Sequence, residues 1–351
     1  MQYKLGKALF LLGLCICYII PLISLIINFP HVTNLPLTLT NFLVIHPNIT
    51  LENIFKIKIG KFGGWNALVA ASKDKEIASD NNALYTAYYR AVNNRLLNCS
   101  SLSYLRFVKK LCDNNFSIPV MTDIQKLYAL MCHYDFWDKS SKDLGFNNVA
   151  NSLDALKDKV LQNELSEVIS ILIERLDVRE FDMPMVDNPI VNSSPLKMHV
   201  RYPKEHILVA FGDSTFEKKS SSREGVLNIK RANTELLFVT LDKCEKQFSA
   251  TTMYHDYAIS PTLFHWQTQN SARPNSGRGL DYVQQKDNHK TFLLFVREKG
   301  KDENGRTMGF VNFGPVDFVK SEGSQPMNIT WKLKHPMPAY LWNETAKLAV
   351  G

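Results

Sequence analysis

The spacing of apolar and polar positions divides the chain into three stretches of different period. Residues 8–27, "ALFLLGLCICYIIPLISLII", carry no charge over 20 positions, which at about 1.5 Å per residue is enough to cross a hydrocarbon core. From about residue 82 the period is helical. In "ELSEVISILIERL", Leu165, Val168, Ile169, Leu172 and Leu176 stand at i, i+3, i+4, i+7 and i+11 and line one face of an amphipathic helix. Similar patterns over residues 82–97, 102–112, 123–137 and 149–161 predict a helical bundle or array, ending in the proline-containing loop "MPMVDNPIVNSSP". One more helix follows in "PKEHILVAFG", with Pro203 in its first turn and Gly212 as its stop.

Strand signals then take over. Runs rich in Val, Phe, Thr and Leu occur as "GVLNIK", "TELLFVTL", "LFHWQTQ", "KTFLLFVRE", "GFVNFGPVDFVK" and "MNITWKLK", parted by turn-rich pieces such as "KGKDENGR" and "SEGSQP". "PAYLWNETAKL" reads as a short closing helix. The expected fold class is therefore α+β: an N-terminal membrane-like helix, a helical middle region, and a C-terminal, mostly antiparallel curved sheet or small β-barrel. The division is a leader over residues 1–29, a linker or weakly determined segment over 30–80, a helical region over 81–185 and an α+β domain over 195–345. Within the last strand, Trp331 is expected inward with Ile329 and Leu333.

The leader bears on compartment. Lys4 and Lys7 precede the apolar run and the next Lys or Arg is Lys56, a bias that holds the N-terminus in the cytoplasm and places the rest outside. The run is longer than the apolar core of a cleavable signal peptide and has no small-residue cleavage site, which favours an uncleaved single-pass anchor through residues 8–27. The competing reading is a leader attached to a soluble, cytoplasmic protein. The cysteines favour the latter: Cys15, Cys17, Cys99, Cys112, Cys132 and Cys244 form no CxxC pair and have no His at zinc-finger spacing, so they read as free thiols in a reducing compartment, with no metal site.

At 351 residues, with 45% hydrophobic and 21% charged residues, the composition is globular and excludes a disordered chain. The net charge of +7 is uneven, because residues 195–351 hold 22 Lys and Arg against 16 Asp and Glu, and residues 1–194 hold 19 against 18. A basic C-terminal half is compatible with a nucleic-acid partner.

A family resemblance lies in the same half. The segments "LKMHVRYPKEHILVAFG", "SREGV", "LLFVTLDKCEKQFSATTMYHDYAIS", "LFHWQTQN", "LLFVREK", "GPVDFVKSEGSQPMNITWKL" and "PMPAYL" resemble the domain of unknown function at the C-terminal end of bacterial restriction-type superfamily 2 (DEAD/DEAH) helicases. The resemblance is dense over residues 195–341 and looser over the helices before them, in "ALYTAYYRAV" and "MCHYDFWDK". It implies a DNA or RNA partner and a separate helicase or ATPase. The chain has no GxxxxGK[ST] loop, no helicase acidic box and no duplicated His-x-Lys motif, so it carries neither a triphosphate cradle nor that nuclease signature and is not itself a helicase.

In "LFHWQTQNSARPNSGRGLDY", side chains alternate so that His265, Gln267 and Gln269 share one face and Phe264 and Trp266 the other. Gln can bridge an adenine edge, Arg273 and Arg278 in the next loop can hold guanine or phosphate, and Trp266 can stack on a base. The same polar face is equally suited to an internal network with Tyr254, Asp256 and Tyr257. A second cluster places Arg201 and Lys204, beside His199 and Tyr202, at a helix start, where backbone N–H groups favour an anion; Arg223 and Glu224 form either part of a site or an ion pair. His265, Asp256, Glu224 and Glu322 offer acid and base groups, but no nucleophile–base spacing selects among them, so no catalytic residue, metal or cofactor is expected. The expectation is a non-catalytic nucleic-acid-binding accessory module, membrane-tethered or derived from a longer helicase. An orphan nuclease or hydrolase domain and a membrane-anchored protein-interaction domain are the alternatives.

Overall fold

The computed structural model describes residues 16–59, 62–73, 75, 82–117, 120–176, 180–242 and 256–342. Its order is α1 (Ile16–Val32), α2 (Leu39–Ile45), α3 (Leu51–Lys56), β1 (Lys58–Ile59), β2 (Phe62–Gly63), α4 (Trp65–Ser72), α5 (Asn82–Asn94), α6 (Leu102–Asp113), α7 (Asp123–Trp137), α8 (Ser141–Leu144), α9 (Val149–Asp154), α10 (Lys159–Arg175), α11 (Pro189–Asn192), β3 (Arg201–Tyr202), α12 (Lys204–Ala210), β4 (Val226–Ile229), β5 (Thr234–Asp242), β6 (Tyr257–Ser260), β7 (Leu263–Gln267), α13 (Gly277–Val283), β8 (Thr291–Lys299), β9 (Phe310–Glu322) and β10 (Asn328–Leu333).

The apolar leader is described only in part. Residues 8–15 of the expected span lie outside the described residues. Among the described residues no helix is long and apolar enough to cross a membrane. Helix α1 instead buries a stripe, Ile19, Leu22, Ile23, Ile26 and Phe29, in the main core, at the i, i+3, i+4, i+7 spacing of a helix lying on a protein surface. An absence of charge raised the expectation of a span, and packing against α4 uses the same apolar side chains.

Residues 39–72, expected within a linker, carry three short helices. Each is too short to be stable alone; α2 and α3 have side-chain caps, α4 has none, and all three are held by α10. Thr38 accepts from Asn41 N–H at the start of α2, and Thr50 with Asn53 forms a capping box at the start of α3. Glu167 accepts from Thr40, Glu164 accepts from the first two N–H groups of α4 at 2.8 and 3.3 Å, and Arg175 pairs with Glu52 at 3.2 Å.

The predicted stripe of α10 is the buried one: Leu165, Val168, Ile169 and Leu172 all join the main core. The single helix expected over residues 149–161 is two. Asp158 accepts from the N–H groups of Val160 and Leu161 and starts α10 afresh, because a side-chain acceptor there replaces the intrahelical bonds a continuous helix would need. Helix α7, opened by the Thr122–Gln125 capping box, buries every residue from Met131 to Phe136 and forms the centre of the bundle.

The C-terminal sheet has eight strands in the order β4-β5-β8-β9-β10-β7-β6, with β3 on β9. All six predicted strands form; β3 and β6 are additional. The sheet is mixed, since β5 and β8 run parallel while the other pairs are antiparallel. The chain makes β6, β7 and α13 between them, which supplies the crossover that a parallel pair needs. Alternation gives the sheet two apolar faces. Leu236, Phe238, Leu293, Phe295 and Phe310 pack under the helices, and Leu237, Val239, Phe292, Leu294, Val296 and Phe313 pack into a second core with Trp266, Tyr282 and Trp331. Among the described residues β4 and β6 pair only with β5 and β7, so the curved sheet is not closed by a ladder.

Trp331 is fully buried between Ile329 and Leu333, with its ring 5.0 Å from Phe292 and 6.2 Å from Trp266. Trp331→Ala should cost about 3–5 kcal/mol in urea melts; a loss under about 1 kcal/mol, the size of an ordinary surface change, would show that the ring does not anchor this core. Burial lifts the Glu164 carboxyl from its ordinary 4.5 to about 7, against the two N–H groups it accepts from. A folded-state value above the unfolded one makes the contribution complete below the unfolded value and lost as pH rises through the folded one. Stability should therefore fall between pH 4.5 and about 7, and Glu164→Gln should flatten that part of the curve; an unchanged slope would assign it elsewhere.

Candidate functional site

Where the segment entering β4 comes up to the continuation of β7, the curled sheet leaves a cleft of about 680 Å³. Its walls come from the segment entering β4 (Arg223, Glu224), from β5 (Phe238, Thr240), from β7 and its continuation (Trp266, Gln267, Gln269), from Arg297 at the end of β8, from Lys204 at the start of α12, and from Asn94 and Arg95 of the helical region. At the mouth, Glu224 spans the seam through side chains: its carboxylate is 3.5 Å from Gln269 Nε2 and 3.9 Å from Arg278 Nη1.

Strand β7 alternates as expected, with Phe264 and Trp266 buried and His265 and Gln267 half-buried. The polar face is engaged within the protein. His265 stacks on Tyr257 across the β6–β7 pair, with ring centroids 4.6 Å apart and planes at 12°. Gln267 donates its side-chain N–H to Asn328 at 3.2 Å and its backbone N–H to Asp256 Oδ1 at 2.9 Å. Gln269 Oε1 accepts from Arg278 at 3.4 Å. Trp266 packs edge-on against Tyr282 in the second core, so its ring is core with one part on the cleft wall. Arg273 is exposed in the turn before α13 and is not among the cleft-lining side chains. Tyr254 lies outside the described residues.

The cluster expected at the helix start does not assemble. Arg201 donates to Gly309 O at 2.8 Å and to Glu298 at 2.6 Å, tying β3 to β8 and β9. His199 faces Phe313 and is buried enough to lower its imidazole to about 4. Lys204 alone reaches the cleft. Its ammonium lies 4.6 Å from the Phe238 ring centroid and donates to the Ser222 and Glu224 carbonyls at 3.3 and 3.0 Å.

Opposite it stands a residue that the sequence reading passed over. Arg297 donates to Thr240 Oγ1 at 2.9 Å and to Met308 O at 3.2 Å, with its guanidinium carbon 4.5 Å from the Phe310 ring centroid. Burial pushes its guanidinium down to about 10. Burial, and then Arg297, lower the Lys204 ammonium. The signal was present in "LLFVREK": alternation continues Leu293 and Phe295 to Arg297 on the helix-facing side, and the parallel register sets Phe295 beside Phe238 and Arg297 beside Thr240. A charge that continues a buried stripe marks the point where apolar filling ends.

Among the described residues no group of three or more His, Cys, Asp or Glu side chains is arranged to hold a metal ion. The three described cysteines with placed side chains, Cys99, Cys112 and Cys132, are free and buried, and burial raises the thiols of all three, so they are inert packing groups. What the cleft offers chemically is hydrogen bonding and charge, with the cations Arg95, Lys204, Arg223 and Arg297 outnumbering the carboxylates of Glu224 and Asp256.

Because Arg201 neutralises Glu298 in a half-buried pair, Arg201→Met should lower stability by about 1–3 kcal/mol, the cost of stranding a charged partner. The double variant with Glu298→Gln should regain part of it. Additive losses in urea melts would show that the two side chains do not act together.

Residues 196–345 match a family model described as a domain of unknown function (DUF3427), a match that covers β3–β10 and every sequence-predicted site residue. No curated protein matches the chain.

Proposed function

We propose that the C-terminal half is a non-catalytic nucleic-acid-binding module that works through the seam cleft. One observation carries this reading: a cleft of about 680 Å³ gathers Lys204, Arg223 and Arg297 together with the amides of Gln267 and Gln269 on one wall. That volume lies within the range of about 300–1,000 Å³ of ligand sites. Cations supply sequence-independent attraction to phosphates, and glutamine amides can pair with base edges. Arg223 is exposed at the mouth and extends the positive surface outward. Arg278 stands beside Glu224 at the same mouth. The role is accessory: the chain supplies binding, and a separate helicase or ATPase supplies any work on DNA or RNA.

The test is fluorescence anisotropy of the full chain with labelled single- and double-stranded oligonucleotides over a salt series. Binding should weaken linearly in log–log form as salt rises, and Arg223→Ala or Arg278→Ala should each reduce the slope by about 1. Gln267→Ala and Gln269→Ala should narrow the difference between preferred and other sequences by about 1–3 kcal/mol each. Lowered melting temperatures with unchanged affinity would make the glutamines a purely internal network, and no salt-dependent binding to either strand form would overturn the reading as a whole.

A further inference from the structure

Among the described residues, the buried and half-buried cations are for the most part answered by carboxylates. Lys290, nearly buried, sits 2.9 Å from both Glu235 and Asp281. Arg306, equally buried, faces Asp302 at 3.5 Å, Arg95 faces Asp138 at 2.6 Å, and Arg201 faces Glu298. Arg90, which has none, donates to the carbonyls of Phe136 and Trp137 at the C-terminal end of α7, where the helix dipole is negative. Lys204 and Arg297 fit neither pattern. Both are half-buried, both line one cleft, and among the described residues neither is ion-paired with a carboxylate. The carboxylates that act on Lys204 from a distance are Asp213, Glu205 and Glu224. Each is engaged elsewhere: Asp213 by Ser220, Glu205 by Ser214, and Glu224 by Gln269 and Arg278.

Two half-buried positive charges that repel each other are costly unless something negative joins them. The donors they have left define what that is. An ammonium has three N–H groups and a guanidinium five; Lys204 spends two on carbonyls and Arg297 spends two on Thr240 and Met308. The rings of Phe238 and Phe310 lie beneath these two cations and 5.2 Å from one another, so the pair is splayed over a rigid apolar floor.

We propose that Lys204 and Arg297 together bind one phosphate group in the cleft. It deepens the nucleic-acid reading of the same cleft and can fail separately from it. The phosphate has two possible sources, the backbone of a polynucleotide or a small phosphorylated molecule such as a mononucleotide, and both present the same tetrahedral anion to the same donors.

The experiment uses the full chain and three probes: inorganic phosphate, a nucleoside 5′-monophosphate and a single-stranded oligonucleotide. Melting temperature is followed against phosphate or monophosphate at constant ionic strength, with chloride as the reference, and Kd is measured by calorimetry. The wild type should be stabilised by phosphate beyond chloride, while Lys204→Gln and Arg297→Gln should each weaken phosphate binding about tenfold or more. Arg297→Lys, which keeps the charge and loses the fork, should fall between. The unliganded variants should melt no lower than the wild type, because each removes one of two repelling charges. A phosphate effect equal to that of chloride, or one equal in wild type and both Gln variants, overturns the phosphate site. If the oligonucleotide binds the wild type and both Gln variants alike and phosphate has no effect, the nucleic-acid reading stands and this site fails. If phosphate and monophosphate bind through Lys204 and Arg297 while oligonucleotides do not, the site stands, its source is a small molecule, and the nucleic-acid reading fails.

Discussion

The bend in β9 sets the geometry of the C-terminal half. Gly314 has φ of +73°, a conformation that costs L-residues with a Cβ and is free to glycine, and a Cβ built there would stand 2.4 Å from Met198 Sδ. Asn312 supports the turn from both sides, donating to Lys197 O and accepting from Gly314 N–H. The register against β8 shifts at the same place. A bulge with a positive-φ glycine increases local twist and redirects a strand, so β9 pairs with β8 and β3 through its first half and with β10 through its second. The β10-β7-β6 arm is thereby carried round toward β4 and β5. From that one bend follow the enclosed second core under Trp331 and a seam that side chains cross without a ladder.

The helical region is more than a neighbour of this sheet, because it supplies part of the cleft wall. Its attachment is polar as well as apolar. Asp135, completely buried in the last turn of α7, accepts from Tyr104 at 2.6 Å and lies 2.8 Å from His206 Nε2 of α12. A buried carboxylate with two partners is directional, whereas an apolar face can slide. The β8–β9 connection adds a second tie, in which Arg306 donates to Asn93 at 2.8 Å and to the Glu52 carbonyl at 2.5 Å. Lys204 follows directly on this fixed framework as the first residue of α12, and Asn94 and Arg95 follow Asn93. The cation pair of the cleft is thus held between the bundle and the sheet.

Much of this architecture could be read from spacing. The stripe of α10, the bounds of α7 and the six longer strands follow from local period and capping, the signals a sequence states most directly. The short helices of residues 39–72 did not, because their stability comes from Glu164, Glu167 and Arg175 about a hundred residues away. The apolar run of α1 left two readings open. A run without charges looks the same whether its apolar face meets lipid or protein, and only the i, i+3, i+4 positions that become buried decide it. The site divided likewise. Gln267, Gln269 and Lys204 were singled out and do reach the cleft, while Arg201 was grouped by adjacency in sequence with a neighbour it does not work beside. Arg297 was passed over because a lone Arg at the end of a strand resembles the solvated end of any strand.

The polar face of β7 therefore has to be weighed differently from the cation pair. Stacking on Tyr257 accounts for His265, Asn328 and the Asp256 contact account for Gln267, and Arg278 with Glu224 accounts for Gln269. A curved sheet whose ends meet without a ladder needs such contacts, since unpaired amides at a seam are costly and side chains are the available way to satisfy them. These contacts position the polar face of that strand, and Gln267 and Gln269 line the cleft all the same. Nothing in the closure requires Lys204 and Arg297 to lie together without a paired carboxylate among the described residues. Two apolar side chains there would extend the Phe238–Phe295 and Phe310 packing and avoid the desolvation of both charges. On the proposed reading, recognition in this cleft begins with charge, and the glutamine wall, already positioned by its structural contacts, is where discrimination among anions would be added.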